Sequence, residues 1–318
     1  MCYSAQIEDA YDKYVRRWGA DIDIDEFVRL YFNEKPKAKT PKAMDAWFDR
    51  PESEKAAEIK RQIGQLNVEQ AAKLEQELFK QKKRLADAER TLLTKTTKKA
   101  QEDKRISSEK IEWCLGKLND LRHTIRIDED ARIFPGWYAP VMVVENGKRV
   151  VKPMRYQCRL AGSPASNDFK FPGTYNARRD NLEGFWRRQF GYFHGIMIVN
   201  AFYENVSLHN MQHRELALGE KEQNVVLEFR PQPKEDMLVA CLWSRWRGAP
   251  QEPELLSFAA ITDEPPTEIA AAGHDRCIIP IKPEHVDAWL NPHPNDLKAL
   301  YAILDDRERP YYEHRLAA

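Results

Sequence analysis

The sequence lacks an apolar run long enough to cross a membrane or to form a secretory leader, and its amino-terminal stretch carries Glu8, Asp9, Asp12 and Lys13 instead. It also lacks net charge, since 50 basic and 50 acidic residues cancel over 318 positions. No global field therefore draws the chain to nucleic acid or to a lipid surface, and any such binding must come from a local patch. Cysteine is scarce: Cys2, Cys114, Cys158, Cys241 and Cys277 are odd in number, widely scattered and free of C-x-x-C spacing. That pattern argues against a disulfide framework and against a zinc site, so the expectation is a soluble cytoplasmic protein with reduced thiols, no metal and no cofactor. Proline is missing from residues 52–127, although 19 occur in the chain. Length alone allows one large core or two smaller ones.

What is present begins with Cys2. Removal of Met1, by an aminopeptidase or autocatalytically, would leave one residue with both a free α-amine and a thiol. These groups titrate near pH 8 and about 8.5 respectively, so each has a reactive fraction at neutral pH. Together they can act on one aldehyde, the amine forming a Schiff base and the thiol closing a thiazolidine. The other four cysteines stand in apolar or aromatic settings typical of core thiols.

Along the chain, the apolar spacing of Gln6 to Trp18 predicts a short amphipathic helix, and Asp25 to Phe32 a second. Residues 35–41, with two prolines and three lysines, form a linker. Asp49-Arg50-Pro51-Glu52 resembles a helix start, with Asp49 as the cap. From Glu52 to Ile127 the composition is rich in lysine, glutamate, glutamine and alanine. Ile59, Ile63, Leu66, Leu74, Leu78, Leu85 and Leu92 mark an apolar seam, which lapses across 94–99 and resumes at Ile111 after Ser107 and Ser108 as caps. Two antiparallel helices forming a coiled-coil hairpin are expected. Interleaved acids and bases favour a solvated spacer over a basic arm, with contact to DNA, a partner or a second copy left open. Strands follow: 141–144 and 149–151 around Asn146-Gly147, a hairpin signal, then 195–199, 225–229, 237–243, 255–262 and 277–281. Short helices are expected at 284–290 and 295–304. The fold class is α+β, a β-rich domain of mainly antiparallel strands with flanking helices, made of residues 1–50 and 128–318 and interrupted by the helical insertion 51–127.

Three clusters carry a resemblance. Tyr175-Asn176-Ala177-Arg178-Arg179-Asp180, Asn200-Ala201-Phe202-Tyr203-Glu204 and His274-Asp275-Arg276-Cys277-Ile278-Ile279-Pro280 resemble the N-A-R-x-E, G-F-Y-E-W and H-D-R-M-P motifs of the SRAP family, the SOS-response-associated peptidases. Cys2 after Met1 is that family's further hallmark, and 240–243 and 257–262 are similar to its A-G-L-W and S-F-x-I-x-T strands. The likeness spans Met1 to Trp18 and roughly Pro135 to Pro292, with the hairpin outside it. It implies covalent trapping of abasic sites in single-stranded DNA, a peptidase- or lyase-like activity in the cytoplasm at the nucleoid, catalytic Cys2, Asn176, Glu204 and His274, and DNA-binding Arg178, Arg179 and Arg155.

Departures from the family pattern are Tyr3-Ser4 after Cys2, where an arginine is usual, Tyr156-Gln157-Cys158 after Met154-Arg155, Asn205 after Glu204, and Arg179-Asp180. The chemistry suits the retained residues. An abasic sugar is mostly a closed hemiacetal and needs an acid and a base to open it, tasks for Glu204, just after an apolar strand, and for His274. Asn176 can orient the sugar or the amine, and Arg178 can hold a phosphate bidentately. Two other classes compete. One is a non-enzymatic single-strand binder in which Arg178, Arg179, Arg187, Arg188, Arg245 and Arg247 interleave with Phe185, Trp186, Tyr192, Trp243 and Trp246. The other is an N-terminal-cysteine amidohydrolase, which the motifs do not match.

Overall fold

The computed structural model describes residues 3–7, 13–33, 38–248 and 252–317. Strands β1 (Ser4–Ile7), β2 (Asp21–Ile22), β3 (Arg132–Ile133), β4 (Tyr138–Glu145), β5 (Lys148–Tyr156), β6 (Asn176–Arg178), β7 (His194–Ser207), β8 (Asn224–Gln232), β9 (Met237–Trp246), β10 (Leu255–Asp263), β11 (Cys277–Ile278) and β12 (Tyr311–Leu316) join in one sheet. Helices α1 (Ile24–Asn33) and α2 (Lys42–Asp45) precede the long pair α3 (Glu54–Thr94) and α4 (Lys98–Arg122). After them come α5 (Asn167–Lys170), α6 (Leu208–Met211), α7 (Thr267–Ala271), α8 (Val286–Leu290) and α9 (Leu297–Asp305). The chain divides into two compact units, residues 1–50 with 128–318, and residues 51–127.

In the first unit the pairing is mainly antiparallel, with parallel contacts of β10 to β5 and β6 and of β2 to β5. The fold is α+β. β7 is its axis: its first half pairs with β9 and touches β4, and its second half runs between β1 and β8. A strand covered on both faces needs side chains that tolerate burial on both, and Ile196, Met197, Ile198, Val199, Ala201 and Phe202 supply them. Asn146 and Gly147 turn β4 into β5 with φ of 50° and 75°, the two positive values a two-residue hairpin turn requires.

The amino-terminal expectation of a helix over Gln6 to Trp18 is corrected here. Gln6 and Ile7 belong to β1, buried between β3 and β7, and only Lys13–Arg17 makes a π-helical turn. Pairing on two edges outweighs the local helical spacing, a tertiary effect that a periodicity cannot show. Residues 8–12 lie outside the described residues. Likewise 277–281 is a two-residue strand followed by the single bridge Val239 to Pro280.

The second unit is an antiparallel helical hairpin closed by Leu74, Cys114 and Leu118 with Ala71, Leu78 and Leu121 packed around them. Its caps differ from those expected. Ser53, not Asp49, caps α3 by accepting from the Ala56 amide, and Thr97, not Ser107 or Ser108, caps α4 by accepting from Ala100. Ser107 lies within α4 with its hydroxyl turned to the Asp103 carbonyl at 2.6 Å. Polar residues around 98–110 hide the seam there, so the apolar count restarts later than the helix does.

Candidate functional site

The chemistry gathers where β7 passes the loop after α7. Glu204 lies inside β7, not beyond its end as the apolar run implied, and is fully buried opposite Leu227 of β8. Gly273 brings the loop to it. At φ +91° this position suits only glycine, and a Cβ there would meet Val206 Cγ1 at 3.0 Å and Asn210 Cβ at 3.2 Å. The close approach sets the next residue, His274, against the strand, with Nε2 3.2 Å from Glu204 Oε2. On the far side of the ring, Nδ1 lies 2.9 Å from the Arg276 carbonyl. Either tautomer finds partners here: with its proton on Nδ1 the ring donates to the Arg276 carbonyl, and with it on Nε2 the ring donates toward Glu204 while Nδ1 accepts from the Arg276 amide at 3.3 Å. The carboxyl and the imidazole are close enough to pass a proton between them. Burial lowers the His274 pKa from its ordinary value, which favours the neutral ring at pH 7.

The other two motif strands flank the end of β10. Thr262 pairs with Arg178 of β6 on one side and with Ile278 of β11 on the other. Adjacent strands stand about 4.8 Å apart, so the first and third motifs lie roughly 10 Å from each other. Their charges are coupled. Arg178 has its pKa raised by its hydrogen bond to Asp180, with a smaller push from Asp275, and Asp180 is lowered by Arg178 first and also by Arg276. Asn176, at the start of β6, is buried, and neither amide atom meets a hydrogen-bond partner among the described residues. Leaving such groups unmet costs about 1–3 kcal/mol each, so this amide has a donor and an acceptor open to a polar partner.

The amino end of the described chain lies along the same strand. The Tyr3 amide donates to the Tyr203 carbonyl at 3.1 Å, and Ser4 is in register with Tyr203. Cys2 lies outside the described residues. Beside Ser4 stands an arginine that no motif pointed to. Arg132 of β3 donates from Nε to Ser4 Oγ at 3.1 Å, with its guanidinium 3.8 Å from the Tyr203 ring centre and 4.9 Å from that of Phe134. Phe134 also meets Tyr3 and Trp137 edgewise. Arg132 forms no ion pair with a carboxylate among the described residues. The missing arginine at position 4 hides this replacement, because β1–β3 pairing links residues more than 100 apart.

The three expected DNA-binding arginines are not equivalent. Arg178 is exposed and forks onto Asp180 at 3.1 and 2.6 Å. Arg179 is tied to Asp305 and lies 3.8 Å from Asp263. Arg155 is held by Asp168 at 2.8 Å and by the Gln157 carbonyl, and Arg159 shares the same aspartate. In the interleaved set, Trp186, Trp243 and Trp246 are core residues, Arg245 and Arg247 pair with Glu254, and Phe185, Tyr192, Arg187 and Arg188 are exposed. Three of the five aromatics of that stacking surface are therefore interior.

A cleft of about 980 Å³ lies beside Arg179, Asp263, Tyr301, Arg307 and Tyr312, and it includes none of Asn176, Glu204 and His274. The acid–imidazole pair and the buried Asn176 amide thus lie outside the lining of that cleft. Cys277 borders that cleft, but burial drives its thiol pKa up, as it does for Cys241 and for Cys158, pushed to about 12. All four described cysteines are buried and free. Among the described residues no group of three or more His, Cys, Asp or Glu side chains could hold a metal ion, and no helix is long and apolar enough to cross a membrane.

A mixed sheet with a buried acid and imidazole facing each other beside three short motifs defines an α+β protein with a buried acid–imidazole pair. Residues 89–316, more than half of the chain, match the family model of the SOS response associated peptidases (SRAP), and the chain belongs to that family. The match starts within α3, so it takes in part of the hairpin and leaves the first residues outside. Similar solved structures include a protein from Bordetella bronchiseptica at 17% identity, covering 59% of this chain and 87% of that one with a TM-score of 0.46. A protein from Bacteroides thetaiotaomicron shares 14% identity over 59% and 78%, also at 0.46. A phage-related protein from Bordetella bronchiseptica shares 16% over 62% and 85%, at 0.44. No curated protein matches.

Proposed function

We propose that this chain captures abasic sites in single-stranded DNA by a covalent bond to Cys2. The observation that carries the reading is the 3.2 Å approach of His274 Nε2 to the buried Glu204, on the strand to which Tyr3 is hydrogen-bonded. Cys2 directly precedes that anchored residue in the sequence.

Each step has a matching group. Opening the hemiacetal removes a proton from the C1 hydroxyl, breaks the bond from C1 to the ring oxygen and delivers a proton to that oxygen. The Glu204–His274 pair, close enough to pass a proton between its members, can give one and take one without net change. After loss of Met1, the Cys2 amine adds to the C1 aldehyde, and the carbinolamine expels water as its nitrogen lone pair forms the imine. The Cys2 thiol then adds to C1 and its proton passes to the nitrogen, closing a thiazolidine with one water released overall. Asn176 offers a donor and an acceptor to the sugar hydroxyls. Arg132, without an acid partner among the described residues, and Arg178 can meet flanking phosphates.

Single-stranded DNA with one abasic site, run on a denaturing gel, tests this. Wild type should give a stable one-to-one adduct, whereas Cys2→Ala keeps an amine and should give only an imine seen after borohydride reduction. An equally stable adduct from Cys2→Ala without borohydride would defeat the proposal.

A further inference from the structure

The charge of the hairpin is not spread evenly. Residues 79–104, its distal third, hold nine bases and four acids, whereas the flanking stretches 51–78 and 105–127 together hold nine of each. Every distal acid is already engaged within the hairpin. Asp87 pairs with Arg90, Glu89 with Lys104, Asp103 with Arg84 and Glu102 with Arg105. Lys82, Lys83, Lys95, Lys98 and Lys99 are exposed and have no acid partner among the described residues. Interleaving of acids and bases, which makes the sequence read as a neutral spacer, thus holds for the root and fails at the tip.

Two further features point to an anion. The first turn of α4 contains Lys98 and Lys99 and no acid, an arrangement that the positive end of a helix disfavours by roughly 0.3–1 kcal/mol per charge unless an anion offsets it. Between the two helices at this end runs a cleft of about 530 Å³ bordered by Lys80, Lys83, Lys99, Thr91 and Thr97, with Asp87 and Asp103 in its wall already paired to Arg90 and Arg84. Hydroxyls and ammonium groups at such a surface are donors suited to phosphate oxygens. Phe79 is the one aromatic residue of the stretch, so stacking on unpaired bases is not what it offers. Charge without stacking suits a duplex, whose bases are already paired and which presents its phosphates, better than a single strand, whose unpaired bases call for aromatic platforms.

We propose that the distal end of the α3–α4 hairpin is a contact for the phosphate backbone of duplex nucleic acid, separate from the Cys2 site and independent of sequence. The test uses the full chain and an intact 30-base-pair duplex. That probe has no aldehyde, so the readout does not depend on covalent capture. Replacing Lys95, Lys98 and Lys99 together by Ala should weaken binding at least about tenfold at 0.1 M salt and lower the slope of log K against log salt by about 2 to 3, since each phosphate contact contributes about 0.9. Replacing the same three by Arg should restore both. Circular dichroism should show unchanged helix content, as all three side chains are exposed. Unchanged affinity and slope in the Ala variant would overturn the proposal. So would loss of binding to anionic phospholipid vesicles with duplex binding intact, which would make the tip a lipid contact.

Discussion

Two carboxylates on neighbouring strands are both buried, yet their surroundings differ. Glu228 of β8 is in register with Tyr203, and Glu204 of β7 with Leu227, one step further along the same pair of strands. Glu228 is wrapped in guanidinium groups: Arg230 donates to it from Nε, and Arg315 reaches both its oxygens at 3.1 Å. Glu204 faces an imidazole whose pKa burial has lowered. A guanidinium does not release its proton, so a carboxylate held by arginines has no partner with which to exchange one. One facing a neutral histidine can exchange a proton. Burial alone therefore does not separate a structural acid from a reactive one; the partner does.

The same contrast runs through two histidines. His194 is buried with its Nε2 accepting from the Gly191 amide and Nδ1 donating to the Trp289 carbonyl, both backbone groups. Burial takes its pKa down to about 3. Both ring nitrogens are occupied by the fold, so this imidazole has nothing left for a substrate. His274 spends only Nδ1 on backbone and turns Nε2 to an acid.

The largest effect that would sharpen this comparison is kinetic. Glu204→Gln should slow adduct formation at saturating DNA by about 10²-fold or more, the lower range for a positioned acid or base, while moving the unfolding midpoint little. Glu228→Gln should do the reverse. It should cost about 2 kcal/mol, less than a fully buried pair because Arg315 is exposed, and lower the melting midpoint by about 4–8 °C while leaving the saturating rate within about twofold. A Glu228 variant that melts normally but reacts slowly would break the distinction.

Acid pH gives the next effect. A histidine with a depressed folded-state pKa is neutral in both states above 6.5, so its stabilising contribution is complete there. Between 6.5 and about 3 the unfolded chain binds the proton and the folded one resists it, so stability falls as pH falls. Urea unfolding at pH 7 and pH 5 should show that loss in wild type, and His194→Gln should show less of it. An equal loss in both would assign the acid sensitivity elsewhere.

Smaller changes concern phosphate contacts. Arg132→Ala should raise the single-stranded DNA concentration needed for capture and reduce the salt slope by about 0.7. Arg178→Ala should act in the same direction but more weakly, since Arg178 must first leave Asp180. Binding titrations at three salt concentrations would rank them, and a larger effect at Arg178 would contradict the assignment of Arg132. Smallest of all should be the effect of replacing residues 51–127 by a flexible Gly/Ser bridge, with adduct formation on an abasic oligonucleotide retained. Loss of that reaction in a folded deletion variant would make the hairpin part of the site.

Much of this was legible in the sequence, for reasons that can be named. The Asn146-Gly147 turn, the strands from 195 to 262 and the hairpin seam depend on local pattern, and they stand where that pattern places them. The motifs around Asn176, Glu204 and His274 could be read from residue order. What stayed hidden depends on distant pairing. β1 looked helical because its partners β3 and β7 are far away in sequence, and Arg132 next to Ser4 has the same origin. The division of arginines into exposed and tied was equally invisible, since Asp168, Asp263 and Asp305 carry no mark of the partner they hold.

The most direct test of the account is the intact mass of the purified chain and of its product with a single-stranded oligonucleotide bearing one abasic site. The chain should have lost Met1, and the product should weigh the sum of processed protein and DNA less one water, with no reduction step. An extra residue placed before Cys2 moves the amine away from the thiol and should abolish that product. A stable product of the same kind from the extended chain, formed at the wild-type rate, would contradict capture by the amine and thiol of Cys2.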